Sequence, residues 1–265
     1  MKNRYLRVGA ALLCLLAPLC AAQEITVAAA ADLQFALQDV AARFEKKTTK
    51  KVKLTFGSSG NFYAQIQNGA PFDLFFSADV DYPKKLESAG LAEPGTLYPY
   101  AVGKIVLWAP KDSPLDVSKG LQALLDPSIH KIAIANPEHA PYGRAAVAAL
   151  KHENLYQRVA NKLVLGENIS QTASFVVSGS ADVGIVALSL ALAPSLKDKG
   201  KYAEIPGQDY PAISQAAVIL KSSSQKATAR EFLNFAQSAE ILQLLHSYGF
   251  ATPSSNQVQS NEEKQ

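Results

Sequence analysis

Hydrophobic residues fall into two periodic patterns that alternate along the chain. Short apolar runs bounded by turn residues predict buried strands, and longer segments between them predict amphipathic helices. In the first helix, apolar residues from Leu33 to Phe44 recur every three or four positions while polar residues face elsewhere. This alternation predicts an α/β fold with mostly parallel strands. The predicted strands are residues 25–30, 52–56, 74–77, 105–109, 132–135, 183–186 and 217–220, and the later helices are residues 62–68, 82–88, 143–152, 170–178 and 228–247.

The first 22 residues have the three parts of a secretory signal peptide. Lys2, Arg4 and Arg7 form a basic start, residues 8–20 are apolar, and the small residue Ala22 ends the segment. The apolar run is too short to span a bilayer comfortably, so a membrane anchor is the weaker interpretation. The sequence therefore predicts cleavage near Ala22 and export to the periplasm.

Both cysteines, Cys14 and Cys20, lie in this predicted leader. Each follows a leucine, whereas lipid attachment favours a small residue before the modified cysteine, so a lipoprotein is disfavoured. Removing the leader leaves 23 basic and 23 acidic residues, because the three charged residues of the leader are all basic. A mature chain of near-zero net charge gives no reason to expect a nucleic-acid partner or direct insertion into a membrane.

The remaining chain is long enough to bury a large core, either as one domain or as two lobes. It contains no internal repeat and no low-complexity linker. Two lobes would therefore have to be joined by strands or short crossings, for which residues 98–104 and 210–217 are the best candidates. The C-terminal residues 252–265 are polar and are predicted to form a mobile tail.

Four predicted helix starts combine a strand end or a turn with small or hydroxyl-bearing residues. A helix N-terminus offers unpaired backbone N–H groups and the positive end of the helix dipole, which together favour an anion. Asp32 and Ser59 are also good N-cap residues, so ordinary capping explains each place taken alone. Four such places in one exported chain indicate an anion site, although the sequence does not show whether they converge. They are residues 30–32, 57–61, 140–143 and 167–170.

Signatures of an enzyme or of a cation site are weak. The chain has no Gly-x-Ser-x-Gly nucleophile elbow, and the glycine loop at residues 57–60 lacks the lysine of a P-loop. We therefore expect a binding protein, with a secreted serine hydrolase as a remote alternative. A binder of a metal cation would need clustered carboxylates or histidines, which the spacing in the sequence does not display. The four scattered histidines are His130, His139, His152 and His246.

The same four places resemble the periplasmic molybdate-binding proteins of ABC importers, which are type II periplasmic solute-binding proteins. Two runs carry most of the resemblance: Gly-Ala-Pro-Phe-Asp-Leu-Phe-Phe-Ser-Ala-Asp at residues 69–79, and Pro-Glu-His-Ala-Pro-Tyr-Gly at residues 137–143. The likeness extends from residue 25 to about residue 251. Further matching segments are residues 25–33, 56–66 and 248–250.

The resemblance implies two α/β lobes, each with a central mixed, mostly parallel sheet, joined by two crossing strands. It assigns residues 23–102 and 217–256 to lobe I, residues 103–216 to lobe II, and leaves residues 257–265 as the tail. It also implies a monomer that binds molybdate or tungstate between the lobes, uses no cofactor and delivers the anion to a membrane-embedded ABC permease. The implied binding residues are Ala31, Asp32, Ser59, Tyr142 and Ile169.

The chain departs from the family at two positions. Some members have a binding tyrosine where this chain has Ala187, and we expect the hydroxyl of Tyr142 to replace it. Asp32 stands where the family often has Ser or Asn, and a carboxylate repels a dianion. We therefore expect the Asp32 side chain to turn away as a helix cap while its backbone N–H faces the ligand.

The predicted site is also poor in cations, since only Arg144 lies close to it in the sequence. Neutral N–H and O–H donors at fixed positions would measure the size of an anion. Sulfate, thiosulfate and phosphate stay open as alternative ligands.

Overall fold

The computed structural model describes residues 23–253, which form two five-stranded sheets flanked by helices. The predicted leader (residues 1–22) and the predicted tail (residues 257–265) lie outside the described residues. Within residues 23–253, no helix combines the length and the apolar character needed to cross a membrane.

The first sheet has the strand order β2-β1-β3-β10-β4. Strand β1 pairs in parallel with β2 and β3, whereas β10 runs antiparallel to β3 and β4. The strand bounds are β1 Glu24–Ala30, β2 Lys51–Gly57, β3 Leu74–Ser77, β4 Tyr98–Gly103 and β10 Ile213–Ile219.

The second sheet repeats this plan with the order β7-β6-β8-β5-β9. Strand β6 is parallel to β7 and β8, and β5 is antiparallel to β8 and β9. Each sheet therefore joins three parallel strands to an antiparallel pair, so the sheets are mixed as predicted but only half of their pairings are parallel. The strand bounds are β5 Ile105–Pro110, β6 Ile132–Ala135, β7 Leu163–Gly166, β8 Val183–Ala187 and β9 Gly200–Glu204.

Helices cover both faces of the first sheet, because successive side chains of a strand point to opposite faces. In β1, Val27 and Ala29 pack in the core that contains Phe44 and Phe232, whereas Ala28 packs with Phe62 on the other face. The amphipathic face predicted for the first helix is confirmed, since its apolar residues are buried. The helix bounds are α1 Gln34–Thr48, α2 Ser59–Gln67, α3 Asp81–Ser88, α4 Pro141–His152, α5 Tyr156–Val159, α6 Ile169–Val177, α7 Leu188–Ala191, α8 Lys226–Ala236 and α9 Ala239–Ser247.

Two crossings connect the sheets. Strand β4 passes into β5 through the single residue Lys104, and the chain returns from β9 to β10 through residues 205–212. Strand β10 begins at Ile213 and pairs with β4, so residues 213–216 belong to the first sheet and not to the predicted second lobe. The apolar run that predicted this strand begins only at residue 217, so the first half of β10 was missed. The other predicted lobe bounds stay a prediction.

Candidate functional site

The four predicted helix starts converge on one cavity between the sheets. Strands β1, β2 and β3 end at one wall, and β6 and β7 end at the other, so the cavity lies outside the carboxyl ends of parallel strands. Crevices of this kind are the usual ligand sites of open α/β sheets. The cavity has about 190 Å³ of space between its lining atoms, including the part that is open to solvent, and its lining includes all five predicted binding residues. The lining residues are Ala30, Ala31, Asp32, Gly57, Ser58, Ser59, Ala78, Ala140, Pro141, Tyr142 and Ile169.

Ser58 and Ser59 divide two roles at the start of α2. Ser58 is the N-cap, and its side chain accepts a hydrogen bond from the backbone N–H of Asn61 at 3.4 Å. Ser59 is fully buried, and its Oγ accepts a hydrogen bond from the backbone N–H of Ala78 at 2.9 Å. Among the described residues the Ser59 hydroxyl proton has no acceptor, and the Ser59 backbone N–H makes no hydrogen bond. The capping interpretation therefore applies to Ser58, and Ser59 has a donor available to the cavity.

Helix α6 presents a second unpaired donor. The side chain of Asn168 caps the helix by accepting hydrogen bonds from the N–H groups of Ser170 and Gln171, both at 3.0 Å. Within residues 23–253, this cap leaves the N–H of Ile169 without a hydrogen-bond partner. Because Ile169 is the first residue of the helix, its N–H lies at the positive end of the helix dipole.

Tyr142 and Asp32 meet across the two lobes. The buried Tyr142 hydroxyl donates to Asp32 Oδ2 at 2.8 Å, and Gln215 Nε2 donates to the same oxygen at 2.7 Å. Gln215 Oε1 in turn accepts from the Tyr100 hydroxyl at 2.7 Å. In this structure the Tyr142 hydroxyl donates to Asp32, so its expected donation to a ligand stays a prediction. We refer to Asp32, Tyr142, Gln215 and Tyr100 as the carboxyl network.

Asp32 does not cap a helix, contrary to expectation. Residues 31–33 form a short 3₁₀ turn whose cap position, Ala30, makes no side-chain capping bond. The Asp32 carboxyl is instead held by the carboxyl network, in which the Tyr142 hydroxyl and Gln215 Nε2 both donate to Oδ2. Burial raises the pKa of Asp32 to about 6, although hydrogen bonds from Gln215 and Tyr142 act to lower it. Asp32 Oδ1 is buried and has no hydrogen-bond partner among the described residues.

Gln215 and Tyr100 are functional candidates that the sequence does not reveal. Gln215 lies in an apolar strand, where a single polar residue stands out, but no local pattern connects it to Asp32. Gly103 lies beside the same network, and a Cβ atom at that position would come within 2.2 Å of the Tyr142 hydroxyl. The close approach of β4 to Tyr142 therefore requires glycine at this position.

No residue that lines the cavity is Lys, Arg or His. Arg144 forms an ion pair with Asp79 across the two lobes and lines a separate pocket. Other contacts also join the lobes: the N–H of Gly60 donates to the His139 carbonyl at 2.9 Å, and the Ser170 hydroxyl donates to Gln34. The lobes are thus closed over a cavity whose donors are neutral.

The structure corrects the expectation about clustered metal-ligand residues. His152, Glu153 and Asp209 come together on the second lobe, with ligand atoms all within 4.8 Å of one another. The expectation fails because Asp209 is far from the other two residues in the sequence. His152 Nδ1 lies 3.3 Å from Asp209 Oδ1, so a direct contact between these two side chains accounts for the cluster.

Sequence comparisons connect the chain to known proteins. Residues 25–251 match the family described as bacterial extracellular solute-binding protein. The molybdate-binding protein ModA of Rhodobacter capsulatus is 40% identical over 250 residues, which cover 93% of this chain and 97% of that protein. The molybdate-binding protein ModA of Azotobacter vinelandii is 40% identical over 234 residues, which cover 87% and 92%.

Solved structures agree with the sequence relatives. The periplasmic molybdate-binding protein of Azotobacter vinelandii matches with a TM-score of 0.82 and 36% identity, covering 87% of this chain and 100% of that chain. The sulfate-binding protein SubI of Mycobacterium tuberculosis has a TM-score of 0.70 at 17% identity, which is a likeness of fold alone. The predicted fold class and the prediction of a binding protein, not an enzyme, are confirmed. This chain belongs to the bacterial extracellular solute-binding protein family.

Proposed function

We propose that this protein captures molybdate, and with it tungstate, and delivers the anion to the membrane permease of an ABC importer. The observation that carries the proposal is a buried cavity lined by neutral donors and by no cation, in a chain 40% identical to two molybdate-binding proteins. Ala31, Asp32, Ser59, Tyr142 and Ile169 are the proposed binding residues, as the sequence predicts.

The cavity stabilises a dianion through oriented dipoles. The Ser59 hydroxyl and the N–H groups of Ser59 and Ile169 have no other acceptor among the described residues, so an anion oxygen can accept from them without breaking an existing bond. Helices α2 and α6 also direct the positive ends of their dipoles at the cavity. Hydrogen bonds to a charged acceptor are about twice as strong as those between neutral groups.

Selectivity follows from the positions of these donors. They stand on helix starts that the packed sheets hold in place, so they suit one radius of tetrahedral anion best. Molybdate and tungstate have longer bonds to oxygen than sulfate, and the smaller anion would leave some donors too far away to form hydrogen bonds.

Hydrogen phosphate is a second candidate ligand, and one observation favours it. Asp32 lines a wall of the cavity, and its buried Oδ1 has no hydrogen-bond partner among the described residues, so an ionised carboxylate would accept the O–H of a protonated phosphate that reached this atom. Sulfate and thiosulfate gain no such contact. Affinity for phosphate therefore measures whether Asp32 acts as an acceptor.

The cellular setting is part of the proposal. The protein acts in the periplasm as a monomer, after cleavage of the leader near Ala22. Closure of the two lobes around the anion creates the surface that the permease recognises.

A thermal-shift panel tests the proposal. Purified protein from residue 23 onward is heated with equal concentrations of molybdate, tungstate, sulfate, thiosulfate or phosphate. A ligand at 1,000 times its dissociation constant adds about 4.1 kcal/mol of stability, which corresponds to a shift of several degrees. We expect large shifts with molybdate and tungstate only. A comparable shift with sulfate or phosphate would reassign the ligand.

A further inference from the structure

The hydrogen bonds of the Asp32 carboxyl are unequal at its two oxygens. Oδ2 accepts from both the Tyr142 hydroxyl and Gln215 Nε2, whereas Oδ1 has no partner within residues 23–253 and is inaccessible to water. A carboxylate that was ionised in all states would leave one charged oxygen buried and unsatisfied, which is costly. A neutral acid with its proton on Oδ1 has the opposite requirement, because it needs an acceptor near that atom.

The surroundings of Asp32 contain no positive charge that would hold it ionised. Tyr142 faces it from α4 and Tyr100 from β4, and burial raises the pKa of both hydroxyls well above the ordinary value, so both stay neutral. Gln215 from β10 donates to Oδ2, and Ser189 from α7 donates to the Asp32 carbonyl at 2.8 Å. The backbone N–H groups of Asp32 and Leu33 also lie beside the carboxyl and act to lower its pKa. Among the described residues, no Lys, Arg or His contacts this carboxyl.

We propose that Asp32 is a neutral carboxylic acid whenever the anion occupies the cavity, and that its Oδ1–H donates a hydrogen bond to an anion oxygen. The inference rests on the proposed function. One proton from solvent binds Oδ1 as the anion enters, and it returns to solvent when the anion leaves. Oδ2 keeps both of its existing hydrogen bonds in the two states.

A bound dianion favours this protonation for two reasons. It disfavours a second negative charge nearby, and it supplies the acceptor that Oδ1 lacks. In the empty protein the pKa of Asp32 is about 6, so at neutral pH most molecules carry the ionised form before binding. Capture therefore requires proton uptake above that pH, and the dissociation constant rises by up to tenfold per pH unit. Below a pH of about 6 the affinity is constant, since the acid is already neutral.

Titration calorimetry with sodium molybdate tests the inference. Wild type is measured at pH of about 6.5, 7.5 and 8.5, each in two buffers of different ionisation enthalpy, so that the number of protons taken up is obtained directly. We expect nearly one proton per molybdate at the two higher pH values, and a steep loss of affinity between them. Molybdate itself stays a dianion over this range.

Two variants complete the experiment. Asp32→Asn keeps an acceptor for Tyr142 and Gln215 and offers an N–H in place of Oδ1–H, so its proton uptake is near zero and its affinity is flat with pH. Asp209→Asn is the matched control, because Asp209 is buried on the second lobe away from the cavity, and it retains the wild-type pH dependence.

The outcomes separate the two proposals. Tight molybdate binding by wild type without proton uptake overturns the inference and leaves the proposed function standing. Loss of binding in a folded Asp32→Asn overturns it as well, since the amide supplies the same donor. Failure of wild type to bind molybdate at any of the pH values overturns both. The buffer comparison on wild type alone decides the question even if Asp32→Asn does not fold.

Discussion

Ser58 and Ser59 are adjacent and identical in side chain, yet the fold gives them different partners. Ser58 satisfies an N–H of its own helix, whereas Ser59 accepts from the next strand end and keeps its proton for the cavity. The carboxyl network shows the same dependence on position, because the Asp32 side chain meets partners from two elements distant in the sequence. At this scale, function depends on which hydrogen-bonding atoms the fold leaves unused.

Substitution of the two serines separates binding from stability. Ser59→Ala removes a charge-assisted donor to the anion, so we expect molybdate affinity to fall by roughly 1.5–3 kcal/mol. Ser58→Ala removes a helix cap, so it lowers the free energy of unfolding by about 1 kcal/mol and leaves affinity nearly unchanged. Calorimetry and urea unfolding of both variants measure the two quantities. Equal affinity losses in both variants would contradict the assignment.

Asp32→Asn is expected to stabilise the empty protein in a pH-dependent manner. The pKa of Asp32 rises from 3.8 to about 6 on folding. Its carboxyl therefore favours the folded state most below pH 3.8, and this contribution is lost as pH rises to about 6. Replacing the carboxyl with a neutral amide removes this pH-dependent loss of stability.

Urea unfolding of wild type and Asp32→Asn without ligand measures this effect. We expect the advantage of the variant to grow by about 2 kcal/mol between pH of about 4.5 and 7.5, from 1.36 kcal/mol per pKa unit. A stability difference that is the same at both pH values would show that the carboxyl pKa does not change on folding.

Helix starts at strand ends organise the site at the scale of elements. Strands β2 and β7 each run into the cavity and are followed by a helix whose first N–H groups face it. The caps of these helices come from the residue just before, Ser58 and Asn168, so the following residue is left free to bind. This arrangement converts an ordinary feature of α/β folds into an anion site.

Removal of one cap tests the role of the helix start. Asn168→Ala deletes the acceptor for two N–H groups of α6, so we expect a stability loss of about 1 kcal/mol and a weaker affinity for molybdate. Asp116→Ala is the matched control, because Asp116 caps another helical segment through Ser118 at 3.1 Å, away from the cavity. Asp116→Ala should lower the free energy of unfolding without changing the affinity for molybdate. An unchanged affinity for molybdate in Asn168→Ala would show that helix α6 does not contribute to anion binding.

Except for the edge strand β2, the strands that the sequence predicts well are mostly buried on both faces. The edge strands β7 and β9 were not predicted, because each has a solvated face. On these faces Leu165 is 50% exposed and Tyr202 is 40% exposed. The predicted helix at residues 228–247 is two helices, α8 and α9, and its apolar period continues across the break between them.

The binding residues were predictable where a local signal or the family resemblance marked them. All five predicted residues line one cavity, although their contacts with a ligand stay a prediction. Gln215 and Tyr100 could not be predicted, because their importance arises only from a pairing between distant strands. The predicted capping role of Asp32 was wrong for the same reason: local preference favours a cap, but donors from distant elements bind the carboxyl instead.

The two lobes act together at the scale of the whole molecule. Contacts from both sides close the cavity: Tyr142 to Asp32, Gly60 to His139, and Arg144 to Asp79. Because the lobes are joined only by the crossing at Lys104 and the return through residues 205–212 within the described chain, we expect them to move as units. Binding free energy therefore includes the free energy of closure.

Arg144→Ala tests the contribution of the ion pair between the lobes. Both side chains are partly exposed, so we expect a modest effect of up to about 1 kcal/mol, seen as a several-fold weaker affinity for molybdate. Small-angle scattering of the empty variant should show a larger radius of gyration. Lys226→Ala is the control, since its pair with Glu93 is comparably exposed and lies within the first lobe. Equal changes in both variants would count against a closing role.

The cavity takes its walls from both lobes, with Ser59 on one side and Ile169 on the other, and this division has a kinetic consequence. We expect an anion held between them to leave only when the lobes separate. Exchange with free anion must wait for a spontaneous opening, so the release of labelled molybdate would follow a single first-order rate. That rate would be the same whichever competing anion was added and however much of it was present.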